Sequence, residues 1–169
     1  LQDAVGRSVN DRLAGLDVLP AQLLDDGRAA GRSVANCFAP DARLVDLSHL
    51  IAPQNIHEAA VALNRAAPYF PADTIHIVVV DPGVGTSRRP LAAQIGTQRY
   101  VGPDNGTLTL LLTRAKREGW PVEFVHLNQP QYWRAEISSV FHGRDIFAPA
   151  AAHWANGVPL AALCSSIAD

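Results

Sequence analysis

Residues 77–89 read Ile-Val-Val-Val-Asp-Pro-Gly-Val-Gly-Thr-Ser-Arg-Arg, and this stretch decides the fold. Four β-branched residues in a row, with no polar residue between them, are typical of a strand buried on both faces of a sheet. The run stops at Asp81, and the proline and glycines that follow force a tight turn. A carboxylate at the end of such a strand lies where open α/β sheets bind ligands. The alternative is a solvated junction in which Asp81 only caps the turn.

Outside this stretch, segments with strand character alternate with segments of helical character. The predicted strands cover residues 43–47, 75–80, 91–95, 99–101 and 122–127, and the third and fourth of them are expected to form a hairpin around Gly96 and Thr97. The predicted helices cover residues 56–67, 108–119 and 145–154. Asn55 and Asp145 are the expected N-cap residues of the first and last of these helices. The alternation predicts an α/β domain with a mostly parallel sheet that is flanked by helices.

The first 40 residues fit this pattern poorly. Their periodicity is weak, and they show loose helical character but no clear first strand. We therefore expect a divergent N-terminal segment over residues 1–40, one α/β domain over residues 41–165, and the start of a linker over residues 166–169. At 169 residues the chain is long enough for one domain with a sizeable core.

Composition argues against several classes of partner. The net charge is −2 and there is no basic tract, so we expect no nucleic acid as partner. No apolar run is long enough to cross a bilayer and no signal peptide is recognisable, so we expect no membrane partner and a cytoplasmic location. Cys37 and Cys164 lie far apart and no histidines have zinc-helix spacing, so we expect reduced thiols and no metal.

The glycine-rich turn after Asp81 does not match a phosphate-binding loop. It lacks the third glycine of a dinucleotide-binding fingerprint, and the Lys-Ser/Thr pair that closes a P-loop does not follow it. Gly83 and Gly85 are better explained as positions where the backbone approaches a ligand closely.

Two arginines and one histidine lie in segments that could carry chemistry. Arg88 and Arg89 follow Asp81 by seven and eight residues, so one of them could fold back and keep that carboxylate ionised. The alternative is a pair of surface arginines. His142 directly precedes a predicted helix, whose N-terminal dipole favours a neutral imidazole that could orient or deprotonate water. The alternative is a structural histidine bonded to a loop carbonyl.

Residues 104–106, Asp-Asn-Gly, follow another predicted strand. The carboxylate of Asp104 and the carboxamide of Asn105 suit the recognition of ribose hydroxyls or of an amide. They also suit a type I′ turn, which is the simpler interpretation of these residues.

Five segments together resemble the S-adenosyl-L-methionine (SAM) hydrolases, also called SAM hydroxide adenosyltransferases, which are related to fluorinases and chlorinases. These segments are residues 46–49 (Asp-Leu-Ser-His), 51–56 (Ile-Ala-Pro-Gln-Asn-Ile), 79–89 (Val-Val-Asp-Pro-Gly-Val-Gly-Thr-Ser-Arg-Arg), 101–106 (Val-Gly-Pro-Asp-Asn-Gly) and 141–152 (Phe-His-Gly-Arg-Asp-Ile-Phe-Ala-Pro-Ala-Ala-Ala). The resemblance extends over about residues 40–165. It implies the α/β N-terminal domain of that family, with the C-terminal β-barrel domain absent from this chain.

The resemblance also implies a reaction. Water or hydroxide attacks the 5′ carbon of the SAM ribose, L-methionine leaves and adenosine forms, without a cofactor. By motif position the catalytic residues are Asp81, Arg88 and His142. Arg88 would hold the hydroxide electrostatically, while Asp81 and His142 would orient it and take part in the transfer of its proton.

Further expectations carry over from the relatives. Segments that line the substrate pocket in the family contain Gln54, Asp104, Asn105 and Phe141. In relatives the site forms between the N-terminal domain of one subunit and the C-terminal domain of its neighbour, so the resemblance implies a homotrimer.

Two alternatives stay open. The family begins with a Thr-Asp-Phe-Gly motif whose Asp grips the ribose hydroxyls, and this motif does not occur in residues 1–40. Together with the missing barrel, this favours a catalytically silent fragment that binds nucleoside or assembles with other chains. The other alternative is a halide-using enzyme. That branch lacks an Asp and a His at the positions of Asp81 and His142, and it has serine at the position of Gly143. A separate departure from the family is Val140, which stands where relatives usually have Thr.

Overall fold

A computed structural model of the chain describes residues 13–17 and 35–166. Its strands are β1 (Leu13–Asp17), β2 (Leu44–Ser48), β3 (Ile75–Val79), β4 (Pro90–Ile95), β5 (Gln98–Pro103), β6 (Val122–Leu127) and β7 (Cys164–Ser166). Its longer helices are α1 (Ile56–Ala66), α2 (Thr109–Glu118) and α3 (Ala148–Ala155). A π-helical turn, Gly143–Phe147, leads directly into α3, and short 3-10 turns cover Ala67–Tyr69, Pro130–Tyr132 and Leu160–Leu163.

The strands form one sheet in the order β2-β1-β3-β5-β4-β6-β7. The pairs β1–β2, β1–β3 and β3–β5 are parallel, whereas β4–β5, β4–β6 and β6–β7 are antiparallel. The α/β fold is confirmed, but the sheet is mixed rather than mostly parallel. The reason is the β4–β5 hairpin, which inserts β4 between β5 and β6. Strands β5 and β6 themselves run in the same direction, and α2 connects them across β4.

Strand β1 corrects the expectation that residues 1–40 contain no clear first strand. It pairs with β2 on one side and β3 on the other, so it lies inside the parallel half of the sheet. Its sequence, Leu-Ala-Gly-Leu-Asp, contains no β-branched residue, so strand propensity could not reveal it. Residues 1–12 and 18–34 of the predicted N-terminal segment, and residues 167–169 of the predicted linker, lie outside the described residues.

Helices cover both faces of the sheet, and β3 supplies core residues to each face. Ile75 and Val79 join the apolar cluster that contains Phe147 and the alanines of α3. Val78 joins the cluster around α1 and α2. Ile75, Val78, Val79 and Val80 are at most 3% exposed, so the predicted strand buried on both faces is confirmed. Each such side chain contributes about 1.5–3 kcal/mol of hydrophobic stabilisation.

The ends of α1 and α2 follow their sequence signals. Asn55 caps α1, and its Oδ1 accepts a hydrogen bond from the Glu58 amide at 3.0 Å. The Glu58 carboxylate in turn accepts from the Ala52 amide at 3.1 Å, so two free N–H groups near the helix start are satisfied. Gly119 ends α2 with a φ of 67°, the left-handed conformation that glycine adopts without strain.

Three further features concern the described part of the chain. No helix there is long and apolar enough to cross a membrane. No group of three or more His, Cys, Asp or Glu side chains is placed there to hold a metal ion. Cys37 is an exposed free thiol, and Cys164 is a partly buried one.

Candidate active site

The parallel strands bring most of the predicted site residues to one edge of the sheet. Strands β2, β3 and β5 run in the same direction, so the segments that follow them share that edge. Gln54 follows β2, Asp81 follows β3, and Asp104 and Asn105 follow β5. Ligands of α/β sheets bind outside the carboxyl ends of the strands. The predicted residues therefore lie where this fold places a ligand.

The turn after β3 packs against the loop that precedes His142. Gly85 has a φ of 76°, and a Cβ at this position would stand 2.6 Å from the carbonyl oxygen of Ser139. Glycine alone combines that conformation with so close an approach. The sequence predicts a close approach of these glycines to a ligand, whereas the structure shows that Gly85 approaches the chain's own loop.

Arg88 folds back over the turn and binds Asp81, as the spacing predicts. Its Nε donates to both carboxylate oxygens at 2.9 Å, and its Nη2 also donates to Oδ2. The side chains of Arg88 and Asp81 are 9% and 5% exposed, so little water screens this pair. The guanidinium carbon also lies 5.1 Å from the ring centroid of Phe147, which helps to fix the plane of the cation.

His142 joins the cluster through the same guanidinium. Nη2 of Arg88 lies 2.9 Å from Nδ1 of His142. Because a guanidinium can only donate, Nδ1 must accept, and the proton of the neutral imidazole lies on Nε2. Burial and the Arg88 cation lower the pKa of His142, while Asp81 and Asp145 oppose that shift. The sequence predicts a neutral imidazole from the helix dipole, whereas burial and Arg88 lower the pKa here.

Asp145, predicted as a helix N-cap, has a different role. Its fully buried carboxylate accepts from Arg144 Nε at 2.6 Å, from Arg144 Nη2 at 2.9 Å, from Arg134 Nη1 at 3.3 Å and from the Ser138 amide at 2.8 Å. The N-cap prediction is wrong because the chain is already helical at His142, with φ −60° and ψ −27°. Asp145 therefore lies inside the π-helical turn, at the centre of an ion-pair cluster.

A signal for this buried ion pair is present in the sequence. Residues 146–152 read Ile-Phe-Ala-Pro-Ala-Ala-Ala, so the turn that precedes them is expected to enter the core. A carboxylate carried into the core needs a partner, and Arg144 is its neighbour in the chain. Capping rules alone favour the N-cap role and miss the ion pair.

Asp104 and Asn105 both make bonds within the chain. Asp104 accepts from Arg89 Nη2 at 2.7 Å in a half-exposed pair, so the two consecutive arginines bind different carboxylates. The Asn105 amide donates to the Val80 carbonyl oxygen at 2.7 Å, and its Oδ1 accepts from the Thr107 hydroxyl at 2.6 Å. Asn105 thus ties the loop after β5 to the end of β3.

Gln54 and Phe141 have contrasting environments. Gln54 is exposed and has a φ of 64°, an unusual conformation for a residue other than glycine. Phe141 is half-buried, and the guanidinium carbon of Arg144 lies 4.9 Å from its ring centroid. Since Phe141 directly precedes His142, an aromatic ring stands next to the imidazole in the chain.

The fold and the cluster define an α/β domain in which a carboxylate, a cation and a partly buried imidazole are in contact beside the carboxyl edge of the sheet. This edge is where α/β domains bind small ligands. Residues 24–164 match the family described as the SAM hydroxide adenosyltransferase N-terminal domain. The chain belongs to this family, and the family predicted from the five sequence segments is confirmed.

Individual relatives agree with this assignment. An (R)-S-adenosyl-L-methionine hydrolase of Salinispora arenicola is 45% identical over 139 residues, which are 82% of this chain and 52% of that protein. A fluorinase of Nocardia brasiliensis is 25% identical over 170 residues, covering 87% and 55% of the two chains. The crystal structure of an uncharacterised conserved protein from Thermotoga maritima is 33% identical, with a TM-score of 0.83 over 93% of this chain and 59% of that one. The chain thus spans about half the length of the curated relatives it matches.

Proposed function

We propose that this chain holds and activates the attacking water in a SAM hydrolase, an enzyme that cleaves SAM into adenosine and L-methionine. The observation that carries the proposal is the connected cluster of Asp81, Arg88 and His142 at the carboxyl edge of the sheet, in which the ion pair is nearly buried and the imidazole is partly buried. The substrate is supported by relatives from two organisms that are 45% identical and bear the name (R)-S-adenosyl-L-methionine hydrolase.

In the proposed reaction, the oxygen of water bonds to C5′ of the SAM ribose while the bond from C5′ to sulfur breaks. The sulfonium takes that electron pair and leaves as the neutral thioether of L-methionine. Water gives up a proton to the carboxylate of Asp81, and adenosine forms. Because the sulfonium is already a good leaving group, the protein mainly has to align and deprotonate water away from bulk solvent. Such a reaction needs no cofactor and no metal ion.

Each member of the cluster supplies a different group to that water. The carboxylate of Asp81 keeps lone pairs beyond those used by Arg88, so it can accept a hydrogen bond from water and then take its proton. Arg88 is a permanent cation whose field stabilises the developing hydroxide. His142 carries its proton on Nε2 and can donate it in a hydrogen bond to the same oxygen. Together they fix both the position and the orientation of the nucleophile.

We assign the lining of the substrate pocket to Gln54, Asp104, Asn105 and Phe141. Gln54 and Asp104 present side chains at the surface of the carboxyl edge, where hydroxyl or amino groups of a substrate can reach them. Asn105 shapes the pocket by joining the ends of β3 and β5.

We further propose that the protein assembles as a homotrimer around this edge. Leu50, Ile137 and Val140 lie in the loops beside it and are 91%, 43% and 47% exposed. Exposed apolar side chains at one edge favour contact with another protein surface. Light scattering on the purified protein tests this proposal, and a monomer at all concentrations would contradict it.

The identity of the nucleophile is tested by running the reaction in heavy-oxygen water. The proposal predicts one labelled oxygen per adenosine, at the 5′ hydroxyl, and unlabelled L-methionine. Unlabelled adenosine would show that water does not attack C5′. A chloride-dependent yield of chlorinated nucleoside would instead support the halide-using alternative.

A further inference from the structure

We propose that Asp145 is a positioning residue for the water-activating cluster, because it clamps the loop of residues 134–142 and so holds His142 against Arg88. The inference rests on the proposed function of that cluster. Asp145 itself stands three residues beyond His142, inside the π-helical turn, and its carboxylate is fully buried. It is therefore separated from the reacting groups and acts through the chain that carries them.

Asp145 binds both ends of the segment from Arg134 to Ser138. The Arg134 amide donates to the Asp145 carbonyl oxygen at 2.9 Å, and its guanidinium donates to the carboxylate at 3.3 Å. The Ser138 amide donates to the carboxylate at 2.8 Å. Residues 134–137 are exposed, so this segment gains little from core packing. Its bonds to Asp145 are therefore the contacts that fix its path.

Further contacts hold the backbone next to His142. The Asp145 amide donates to the carbonyl oxygen of Phe141 at 2.9 Å, which holds the peptide that joins Phe141 to His142. On the opposite side, Gly85 of the turn after β3 lies against the Ser139 carbonyl. The loop is thus held between the Asp81 turn and Asp145, and His142 follows directly from it.

Asp145 also fixes the side chain of Arg144. Its guanidinium makes a two-pronged pair with Asp145 and lies over the ring of Phe141. The carboxylate therefore also sets the position of the cation that packs on a proposed substrate contact. A planar two-pronged pair restricts a guanidinium more strongly than a single hydrogen bond does.

The charge of Asp145 reaches His142 as well. The charged groups that act on this imidazole are Arg88, Asp81 and Asp145, and the two carboxylates oppose the lowering of its pKa. Replacing Asp145 with a neutral residue therefore lowers the pKa of His142 further, and it also loosens the loop. A residue that only stabilises the fold would do neither.

The test compares the wild-type protein with Asp145→Asn, which keeps the size of the side chain but removes its charge. Three results are expected: faster hydrogen exchange of the amides in residues 134–142, a lower titration midpoint of His142 by NMR, and a lower kcat with KM nearly unchanged. Misplacement of a catalytic group by about 1 Å can cost on the order of a hundredfold in rate, so we expect a loss between roughly tenfold and a hundredfold.

Asp73→Asn is the matched control. Asp73 forms an ion pair with Arg99 at 3.2 Å beyond the other end of β3, and its φ of 65° is one that asparagine tolerates. This variant makes the same Asp-to-Asn change in a more exposed Asp–Arg pair and should leave loop exchange, the His142 midpoint and kcat unchanged. Arg134→Gln serves as a milder second variant, because it leaves the Arg144 pair intact. It should speed the exchange of the loop amides and lower kcat, whereas the His142 midpoint should not fall, since the Asp145 carboxylate keeps its charge.

Wild-type loop exchange and a wild-type His142 midpoint in folded Asp145→Asn would overturn the inference. If that variant does not fold, wild-type loop exchange in Arg134→Gln overturns it. Exchange and titration do not require turnover. An inactive wild-type protein would therefore contradict the proposed function, while these two readouts would still decide the role of Asp145.

Discussion

Nη2 of Arg88 lies 2.9 Å from Nδ1 of His142 while the same guanidinium holds Asp81. One cation thus binds two partners, which are seven and 54 residues away along the chain. Because arginine cannot accept a hydrogen bond, this contact places the proton of a neutral His142 on Nε2. The carboxylate, the cation and the imidazole therefore form one unit.

The protonation state of His142 follows from that contact. At neutral pH we expect nitrogen NMR to show a proton on Nε2 and none on Nδ1. Because burial and Arg88 lower its pKa, the titration midpoint of the imidazole should lie below the ordinary histidine value of 6.5. The acid limb of the activity profile should likewise lie below pH 6.5. In Arg88→Gln the midpoint should rise, and an unchanged midpoint would show that Arg88 does not act on His142.

The geometry of Arg88 matters as well as its charge. Arg88→Lys keeps the cation but cannot bind Asp81 with two nitrogens and reach His142 with the same group. We expect kcat to fall on the order of a hundredfold, since the unit loses its alignment. Arg117→Lys is the control, because Arg117 is an exposed arginine paired with its neighbour Glu118. Equal rates for Arg88→Lys and the control would contradict a positional role for the guanidinium.

Comparing two glycines separates the stability cost of a left-handed backbone conformation from the cost of a steric contact at the added Cβ. Gly85 and Gly119 have φ values of 76° and 67°, but a Cβ would contact Ser139 at the first position and nothing within 4 Å at the second. Gly119→Ala should therefore cost about 1 kcal/mol of unfolding free energy. Gly85→Ala should cost at least about 1 kcal/mol more, because the Ser139 carbonyl has to move. Urea unfolding measures both costs. Equal losses of unfolding free energy in the two variants would show that the loop at Ser139 moves away without cost.

Local signals explain what the sequence predicted well. Residues 75–80, the first five of which form β3, are dominated by buried apolar side chains, and Arg88 lies close enough to Asp81 for a turn to join them. Asn55 is followed three residues later by Glu58, a recognisable helix start. In each case the partners are near in sequence, so the pattern itself contains the interaction.

Non-local contacts explain what it predicted poorly. Strand β1 depends on pairing with β2 and β3 rather than on its own residues. The mixed sheet depends on where β4 inserts, which no periodicity in its sequence encodes. The position of Asp145 depends on hydrogen bonds from Arg134 and Ser138, which lie in an irregular loop. Capping rules cannot anticipate such partners, and they assign the residue to the helix end.

His76 is a buried neutral histidine outside the candidate site. Its ring stacks on Tyr100 at 5.0 Å, and its Nε2 lies 2.7 Å from Oε1 of Gln98. The Gln98 amide nitrogen donates to the carbonyls of Ala67 and Phe70. Oε1 is therefore the acceptor, and Nε2 of His76 carries the proton. Burial lowers the pKa of His76 to about 4.

This histidine should make stability depend on pH. Between pH 6.5 and about 4 the unfolded chain binds a proton that the folded chain excludes, so the free energy of unfolding falls as pH falls. The loss from this group is at most about 3 kcal/mol. His76→Phe should lose less stability than the wild type across that range in urea unfolding. Parallel losses in the two proteins would show that another group is responsible.

The Asp81–Arg88–His142 unit is proposed to activate water against SAM. This role is tested most directly by quantifying the products after the purified protein is incubated with SAM, beside a folded His142→Ala variant. We expect adenosine and L-methionine in equal amounts from the wild type, and a loss of both products in the variant. A folded wild-type protein that binds adenosine but releases neither product would contradict it and identify a silent nucleoside-binding domain.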